Sequence, residues 1–199
     1  MNSIFTVNYF ETLVGEYLEK NTRGSVFIPA SAQEEGIDLI LYKFEEGINK
    51  MVTIQVKSSR CYETTTKKSK TLPLDKNTSK YPMQSLWFNR YEVKDNAEWF
   101  IIGGDFFRHN DEPNKNNKDT VIHDTIFLAF TKQEMIDFLD NCRQVKNPDK
   151  KDDKFSFIFD ENKNIYHTRG CVQNGKSSYK NVNEFLIENR MQEIINSMH

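Results

Sequence analysis

Two polar residues, Gln55 and Lys57, stand two positions apart in the strand-like run 52–58, so one face of a strand would carry both side chains. Asp38 lies one predicted strand upstream, and Glu11 lies on a helix-like segment before it. Carboxylate and amide oxygens are the hard ligands that Mg²⁺ prefers, and a lysine beside them can stabilise charge on a phosphate. The spacing therefore indicates chemistry in which a metal-activated water attacks a phosphodiester.

Each of these residues also has an ordinary structural explanation. Gln55 and Lys57 fit the polar side of a half-exposed strand, because such alternation is common. Glu11 stands three residues after Asn8, where the glutamate of a capping box would be. Asp38 could lie in a loop before its strand and bind nearby backbone amides. Its segment is nevertheless apolar on both alternating faces, so a carboxylate there needs a hydrogen bond, an ion pair or a metal.

The elements that would position these residues come early in the chain. Apolar residues at positions 10, 13, 14, 17 and 18 predict an amphipathic helix over 8–20. A short strand follows at 25–29, and segments 37–44 and 51–58 predict a hairpin that turns through 45–50. Residues 59–82 are basic and read as irregular.

The remainder of the chain continues the alternation of strands and helices. Thr131 and Glu134 predict a capping box at the start of a helix. We expect strands at 97–103, ended by Gly103 and Gly104, and at 125–130, a polar loop at 108–120, a hairpin of 155–159 with 164–168, and a closing helix at 182–197.

The bulk composition is that of one globular domain spanning residues 1–199. The chain has 199 residues, 37% of them hydrophobic and 13% aromatic, which is enough for a substantial core. No apolar run approaches the ~20 residues that cross a bilayer, and the first residues do not resemble a signal peptide. Cys61, Cys142 and Cys171 are widely spaced, without zinc-ligand spacing or a disulfide framework. These features predict a cytoplasmic protein that does not associate with membranes.

Charge is unevenly distributed although the formal net charge is only -2. Between Lys57 and Lys80 the sequence has seven basic and two acidic residues. A local basic patch is sufficient for phosphate contact, so this stretch predicts a nucleic-acid contact, whereas the alternative is a solvated loop. The candidate phosphate-binding residues are Arg60, Lys67, Lys68 and Lys70.

The segment Gly170–Ser177 matches the phosphate-loop pattern Gly-x-x-x-x-Gly-Lys-Ser. Only 22 residues follow Ser177, and they read as a single helix. No later strand could supply the acidic residue that holds Mg²⁺ in such nucleotide-binding enzymes. We therefore predict a turn here, and no nucleotide cofactor.

In combination, the early motifs resemble those of the PD-(D/E)xK nuclease superfamily. In that superfamily a helix carries an acidic residue. A strand that starts with Asp follows, and then a strand with Glu, Asp or Gln two residues before Lys. The matching segments are 10–18, 36–40 and 54–59. Two positions depart from the pattern, since Ile37 replaces the proline before Asp38 and Gln55 replaces the acidic residue. The resemblance implies an α/β fold with a restriction endonuclease-like core, in which helices flank a mixed central sheet.

The resemblance also implies an activity, the Mg²⁺-dependent hydrolysis of DNA phosphodiester bonds by a restriction- or defence-type endonuclease. Asp38, the Gln55 side-chain oxygen and the Val56 carbonyl would hold Mg²⁺, for which Mn²⁺ could substitute, with Glu11 reaching the ion directly or through water. Lys57 would orient the attacking hydroxide and stabilise charge at phosphorus. DNA is the expected partner, and cutting both strands suggests a homodimer. The alternative is a catalytically silent nucleic-acid-binding or partner-binding domain of the same fold, because Gln55 carries no negative charge.

Overall fold

A computed structural model describes residues 9–29, 36–63, 83–109, 121–160 and 162–199 of the chain. It contains three α-helices in these ranges, which are α1 (Tyr9–Thr22), α2 (Lys132–Asn141) and α3 (Ile187–Asn196). The strands of the first half are β1 (Ser25–Phe27), β2 (Leu39–Glu45), β3 (Ile48–Ser58), β4 (Tyr62–Glu63), β5 (Gln84–Asn89) and β6 (Trp99–His109). The strands of the second half are β7 (Val121–Thr131), β8 (Lys154–Phe159), β9 (Ile165–His167), β10 (Val172–Gln173), β11 (Lys176–Ser177) and β12 (Lys180–Asn181).

The predicted helix and hairpin of the first 60 residues are confirmed, with a tighter turn than expected. Glu46 and Gly47 alone connect β2 to β3, with φ angles of 53° and 80°. Two consecutive positive φ angles are typical of a type I′ turn, whose twist matches that of the strands it joins. Residue 45 therefore belongs to β2 and residues 48–50 belong to β3.

A mixed five-stranded sheet forms the centre of the fold, in the order β1-β2-β3-β6-β7. β3 and β6 run parallel, while the other neighbours are antiparallel. The prediction that Gly103 and Gly104 end the strand at 97–103 is wrong, because β6 runs through both glycines to residue 109. Their missing side chains permit close approach instead: a Cβ on Gly103 would collide with the Ile126 carbonyl oxygen.

The two faces of the central sheet have different neighbours. On one face α1 and α3 enclose a core with Ile54, Val56 and Trp99. On the other face Phe100, Ile102 and α2 pack against a second sheet of order β12-β9-β8-β5-β4. The mixed central sheet was predicted, and so was the β8–β9 hairpin. The second sheet as a whole was not, because β4 and β5 lie within or beside a segment read as irregular.

A local capping signal sets the start of α2, whereas α3 begins at Ile187 without a side-chain cap. Thr131 caps α2, since its Oγ1 accepts from the Glu134 N–H (3.3 Å) while Glu134 Oε2 accepts from the Thr131 N–H (2.8 Å). This confirms the predicted capping box. The closing helix is shorter than the predicted 182–197, because a 3₁₀ turn over 183–185 precedes α3.

The segment with the phosphate-loop pattern is a β-hairpin. β10 and β11 pair antiparallel around Asn174 and Gly175, whose φ angles of 50° and 70° are those of a type I′ turn. A phosphate loop instead requires Lys and Ser to begin a helix. The predicted turn is confirmed, and Lys176 and Ser177 lie in a short strand.

Within the described ranges, none of the helices combines the length and apolar character needed to span a membrane.

Candidate active site

The candidate active site lies where β2 begins and β3 ends. Asp38 directly precedes β2, and Lys57 is the penultimate residue of β3. The antiparallel pairing of Leu39 with Ile54 brings these two chain segments side by side. Sequence spacing alone suggested this meeting, and the register of the hairpin produces it.

Asp38 is held by the backbone of β3 and faces Lys57. Its Oδ2 accepts a hydrogen bond of 2.7 Å from the Val56 N–H, and the Lys57 Nζ lies 3.7 Å from the same oxygen. The side chains of Asp38 and Lys57 retain 22% and 27% of their exposure, so both reach solvent. The structure thus brings together the two predicted residues that carry opposite charges.

The separation of Asp38 and Lys57 differs from that of the surface ion pairs at the opposite end of the β2–β3 hairpin. Lys43 and Lys50 bind Glu45 at 2.8 Å and 3.0 Å, which is hydrogen-bond distance for charged groups. At 3.7 Å the Lys57 ammonium is attracted to Asp38 without a hydrogen bond to it. The N–H groups of the Lys57 ammonium can therefore bind a substrate oxygen that lies at the solvent-accessible end of β3.

An irregularity in the hairpin sets the position of Asp38. Ile54 is the pairing partner of Leu39, yet its carbonyl also accepts from the Asp38 N–H at 2.9 Å. Two residues of one strand thus face one residue of the other, as in a β-bulge, which redirects the side chain of the extra residue. The Asp38 carboxylate then takes the place of the next backbone carbonyl in the β2–β3 hydrogen-bond ladder and accepts from the Val56 N–H.

Gln55 is fully buried, and its amide is oriented by the segment that precedes β6. Its Oε1 accepts a 2.9 Å hydrogen bond from the Lys94 N–H. Its Nε2 is buried and has no hydrogen-bond partner in the described part of the chain. An amide oxygen has two lone pairs, so one remains for a further contact. The sequence pattern identified Gln55 but not the Lys94 amide that orients it.

Gly36 makes room for this arrangement. Its φ is +86°, and a Cβ added there would lie 2.6 Å from Gln55 Nε2 and 2.7 Å from Lys94 Cβ. The glycine two residues before Asp38 is the sequence signal for this packing, and it was not among the predicted site residues. Any side chain at position 36 would displace the Gln55 amide.

We expect Gly36→Ala to lower the free energy of unfolding by about 3 kcal/mol, because it adds a collision to the strain of a positive φ. Urea denaturation followed by circular dichroism measures the change. Gly47→Ala is the matched control: its φ is +80° and no atom lies within 4 Å of its Cβ position. That control should lose only about 1 kcal/mol. Equal losses in the two variants would show that position 36 is not crowded.

Glu11 lies at the same end of the central sheet, on its helix-covered face. It shares one stripe of α1 with Val14 and Leu18, which are fully buried against the sheet. The Phe10 ring approaches Gly103, whose pairing partner on β3 is Ser58. The start of α1 therefore lies above the end of β3.

The helix that carries Glu11 and the side chain of Lys57 nevertheless lie on opposite faces of the sheet. Lys57 alternates with Val56, which packs into the core beneath α1, so the lysine leaves the opposite face of the sheet. The role of Glu11 at a metal, directly or through water, stays a prediction. Its proposed capping by Asn8 lies outside the described residues.

The oxygen atoms that could bind a metal at this end of the sheet are few, and they are hard ligands. Among the described residues, no three His, Cys, Asp or Glu side chains gather closely enough to hold a metal ion by themselves. The donors are the Asp38 carboxylate, the Gln55 amide oxygen and the Val56 carbonyl, which leaves the strand on the same side as its N–H. Mg²⁺ usually keeps several waters and needs one or two carboxylates, so the Asp38 carboxylate and the Val56 carbonyl are ligands of the kind the ion takes, whereas the Gln55 oxygen is buried and bonded to the Lys94 N–H.

The predicted DNA contacts can be located for one residue only. Arg60 is exposed, three residues after Lys57. Lys67, Lys68 and Lys70 lie outside the described residues, so their contact with DNA stays a prediction.

No family model, curated protein or solved structure matches this chain.

Proposed function

We propose that the protein is a Mg²⁺-dependent endonuclease that hydrolyses DNA phosphodiester bonds. The observation that carries the proposal is the placement of Asp38 and Lys57 at one solvent-accessible sheet end, 3.7 Å apart and without a direct hydrogen bond. A carboxylate for a metal and a lysine for the phosphate are the two groups that such hydrolysis requires.

The order of elements supports a restriction endonuclease-like core. A helix with Glu11 comes first, a strand preceded by Asp38 follows, and the next strand has Gln55 two residues before Lys57. This is the order of the superfamily that the sequence resembles. The strand β6 then pairs parallel to β3 beside the proposed site.

Each residue has a role that its contacts permit. Asp38, with the Val56 carbonyl and the Gln55 oxygen, would hold the metal, and Asp38 is positioned for this by the Val56 N–H. When bound, Mg²⁺ neutralises phosphate oxygens and lowers the pKa of a coordinated water. Lys57 would orient the attacking oxygen and donate to the phosphate as negative charge develops there.

Plasmid cleavage tests the proposal. Purified protein is incubated with supercoiled DNA in Mg²⁺, in Mn²⁺ and in EDTA, and nicked and linear products are resolved on gels. We expect products in either metal and none in EDTA. Intact plasmid in all three would contradict the endonuclease function.

The burial of Gln55 favours a second candidate, a catalytically silent domain that binds nucleic acid or a protein partner. The Gln55 oxygen already accepts from the Lys94 N–H, and the amide adds no negative charge to a metal site. A silent domain would show neither metal-dependent cleavage nor a loss of binding on Asp38→Ala.

Gln55→Glu distinguishes the two candidates without relying on cleavage. We expect the added carboxylate to tighten Mg²⁺ binding by about tenfold, since charge count tunes the affinity of such sites. Isothermal titration calorimetry measures the change, with the exposed Gln173→Glu as the control. The same Mg²⁺ affinity in wild type and Gln55→Glu would favour the silent domain.

A homodimer is the expected assembly, because cutting both strands of a duplex is simplest with two-fold symmetry. One face of β1, β2 and β3 supports self-association. Phe27, Phe44 and Met51 are 54%, 64% and 46% exposed there, and the rings of Phe27 and Tyr42 pack edge to face. Of the described residues of β1, β2 and β3 that share this face, Lys57 at the end of β3 is charged and the others are not, namely Ser25, Phe27, Ile40, Tyr42, Phe44, Asn49, Met51, Thr53 and Gln55. The uncharged part of the face, from β1 to the turn of the hairpin, can meet its own copy without charge repulsion.

We expect Phe44→Asp to convert the dimer to a monomer, because two buried carboxylates would face each other across the two-fold axis. Sedimentation velocity measures the state. Ile48→Asp is the control, since Ile48 is 58% exposed but alternates onto the opposite face of the sheet. A monomeric wild type, or a dimer that survives Phe44→Asp, would rule out this interface.

A further inference from the structure

The outer face of the second sheet contains a cavity of about 840 Å³ that has no part in the proposed metal site. Trp87 of β5, Ile158 of β8 and Val145 give it apolar walls, and Tyr179 and Arg169 border it. A volume of this size is typical of sites that enclose a small organic molecule.

Trp87 and Arg169 face each other in this cavity. The Arg169 guanidinium carbon lies 5.7 Å from the centre of the Trp87 ring. Asp152 holds the guanidinium, accepting from its Nε and Nη2 at 3.1 to 3.3 Å. The indole is also held, because its N–H donates to Ser85 Oγ at 3.2 Å. The cavity therefore presents two flat groups that face each other, an indole oriented by Ser85 and a half-exposed guanidinium oriented by Asp152.

The spacing of these groups suits a flat ligand. A planar ring sandwiched between two others needs about 7 Å from plane to plane, twice the contact distance of roughly 3.5 Å. Arg169 would have to withdraw by about 1 Å, and its side chain is 43% exposed and able to move. Aromatic rings and guanidinium planes are the groups on which proteins stack nucleobases.

The charges around the cavity balance. Lys146 and Arg169 are opposed by Asp152 and Asp153, so the walls attract no polyanion by net charge. The site suits an uncharged heterocycle with hydrogen-bonding edges, and the Thr168 hydroxyl, which bonds that of the buried Ser156, lies on the cavity wall. A nucleobase has this chemistry, whereas a bare phosphate does not.

The cavity is tied to the proposed active site through two residues. Ser59 stands two positions after Lys57, and its Oγ accepts a 2.8 Å hydrogen bond from the backbone N–H of Trp87. Trp87 also lines a smaller cavity of about 400 Å³ beside Tyr62 and Lys154. Exposed Arg60 and Tyr62 closely follow Lys57 in the chain. Exposed Lys154 lies with Tyr62 and Trp87 in the wall of the smaller cavity.

We propose that this cavity binds one unpaired base of a single DNA strand, stacked on Trp87. The inference rests on the proposed nucleic-acid function but not on catalysis. A base within a duplex could not enter the cavity, because its faces and edges are occupied by stacking and pairing. The substrate would therefore be DNA with a single-stranded or extruded base near the cleaved bond.

Binding in EDTA tests the proposal apart from cleavage. Fluorescence anisotropy of a labelled short oligothymidylate gives the dissociation constant for each variant. We expect Trp87→Leu to weaken binding by about tenfold or more, as the loss of one base stack does, and Trp87→Tyr to bind within about threefold of wild type. Tyr91→Leu is the control, since Tyr91 is 71% exposed and lies outside the cavity lining.

A second variant keeps the test valid if Trp87→Leu does not fold. Val145→Asp places a carboxylate at a 43% exposed position of the cavity wall, and it should weaken binding comparably. Unchanged affinity in the folded variants, or tighter binding of a fully paired duplex, would overturn the base site and leave the nuclease proposal standing. Normal oligonucleotide binding without plasmid cleavage would instead support the base site and contradict the nuclease proposal.

Discussion

Replacing Lys57 by alanine is expected to lower the rate of DNA cleavage by about a hundredfold to a thousandfold, with fold and metal binding retained. The factor is that of removing one preorganised donor from a developing negative charge. The side chain is partly exposed and makes no hydrogen bond to Asp38, so its loss should cost little stability. Single-turnover cleavage of plasmid in Mg²⁺ measures the rate, and circular dichroism verifies the fold.

Lys50→Ala provides the matched control for Lys57→Ala. Lys50 lies on the same strand and pairs with Glu45 at 3.0 Å on the surface, away from Asp38. Its removal should leave the cleavage rate unchanged. Equal rates for Lys57→Ala and wild type would reject the assigned role of Lys57.

Replacing Asp38 by asparagine is expected to weaken Mg²⁺ binding by about a hundredfold or more and to reduce cleavage in parallel. The amide oxygen can still accept from the Val56 N–H, so the hairpin should survive. What disappears is the negative charge, which both the metal and Lys57 require. Calorimetric titration with Mg²⁺ and with Mn²⁺ measures the affinity directly.

Asp95→Asn is the control for Asp38→Asn, because Asp95 is an exposed carboxylate in the loop before β6. It should bind Mg²⁺ as the wild type does. If Asp38→Asn bound the metal with wild-type affinity, the ion would have to lie elsewhere.

The first 60 residues could be predicted well because local patterns determine them. Apolar spacing marks α1 and alternation marks β3, so the helix and the hairpin could be predicted, whereas the two-residue turn and the bulge at Asp38, which set the register, could not. The capping box of α2 was equally local, since Thr131 and Glu134 stand three residues apart. In each case the residues that decide the structure are near neighbours in the chain.

Contacts between distant segments could not be predicted in the same way. Gly103 and Gly104 read as a strand end, although they serve the close approach of β7 and of residue 59. The Gln55 amide is oriented by the Lys94 N–H, 39 residues away, and this contact depends on how the chain returns after the second sheet. The Trp87–Arg169 pair joins β5 to the turn after β9, and no local pattern connects these two segments.

Anomalous diffraction from crystals grown with Mn²⁺ would locate the metal ion itself. We expect a peak beside the Asp38 carboxylate and the Val56 carbonyl, within reach of Lys57, and no such peak in Asp38→Asn crystals. A well-occupied peak at another place, or none beside Asp38 in wild-type crystals, would contradict the assignment of this sheet end as a metal-dependent active site.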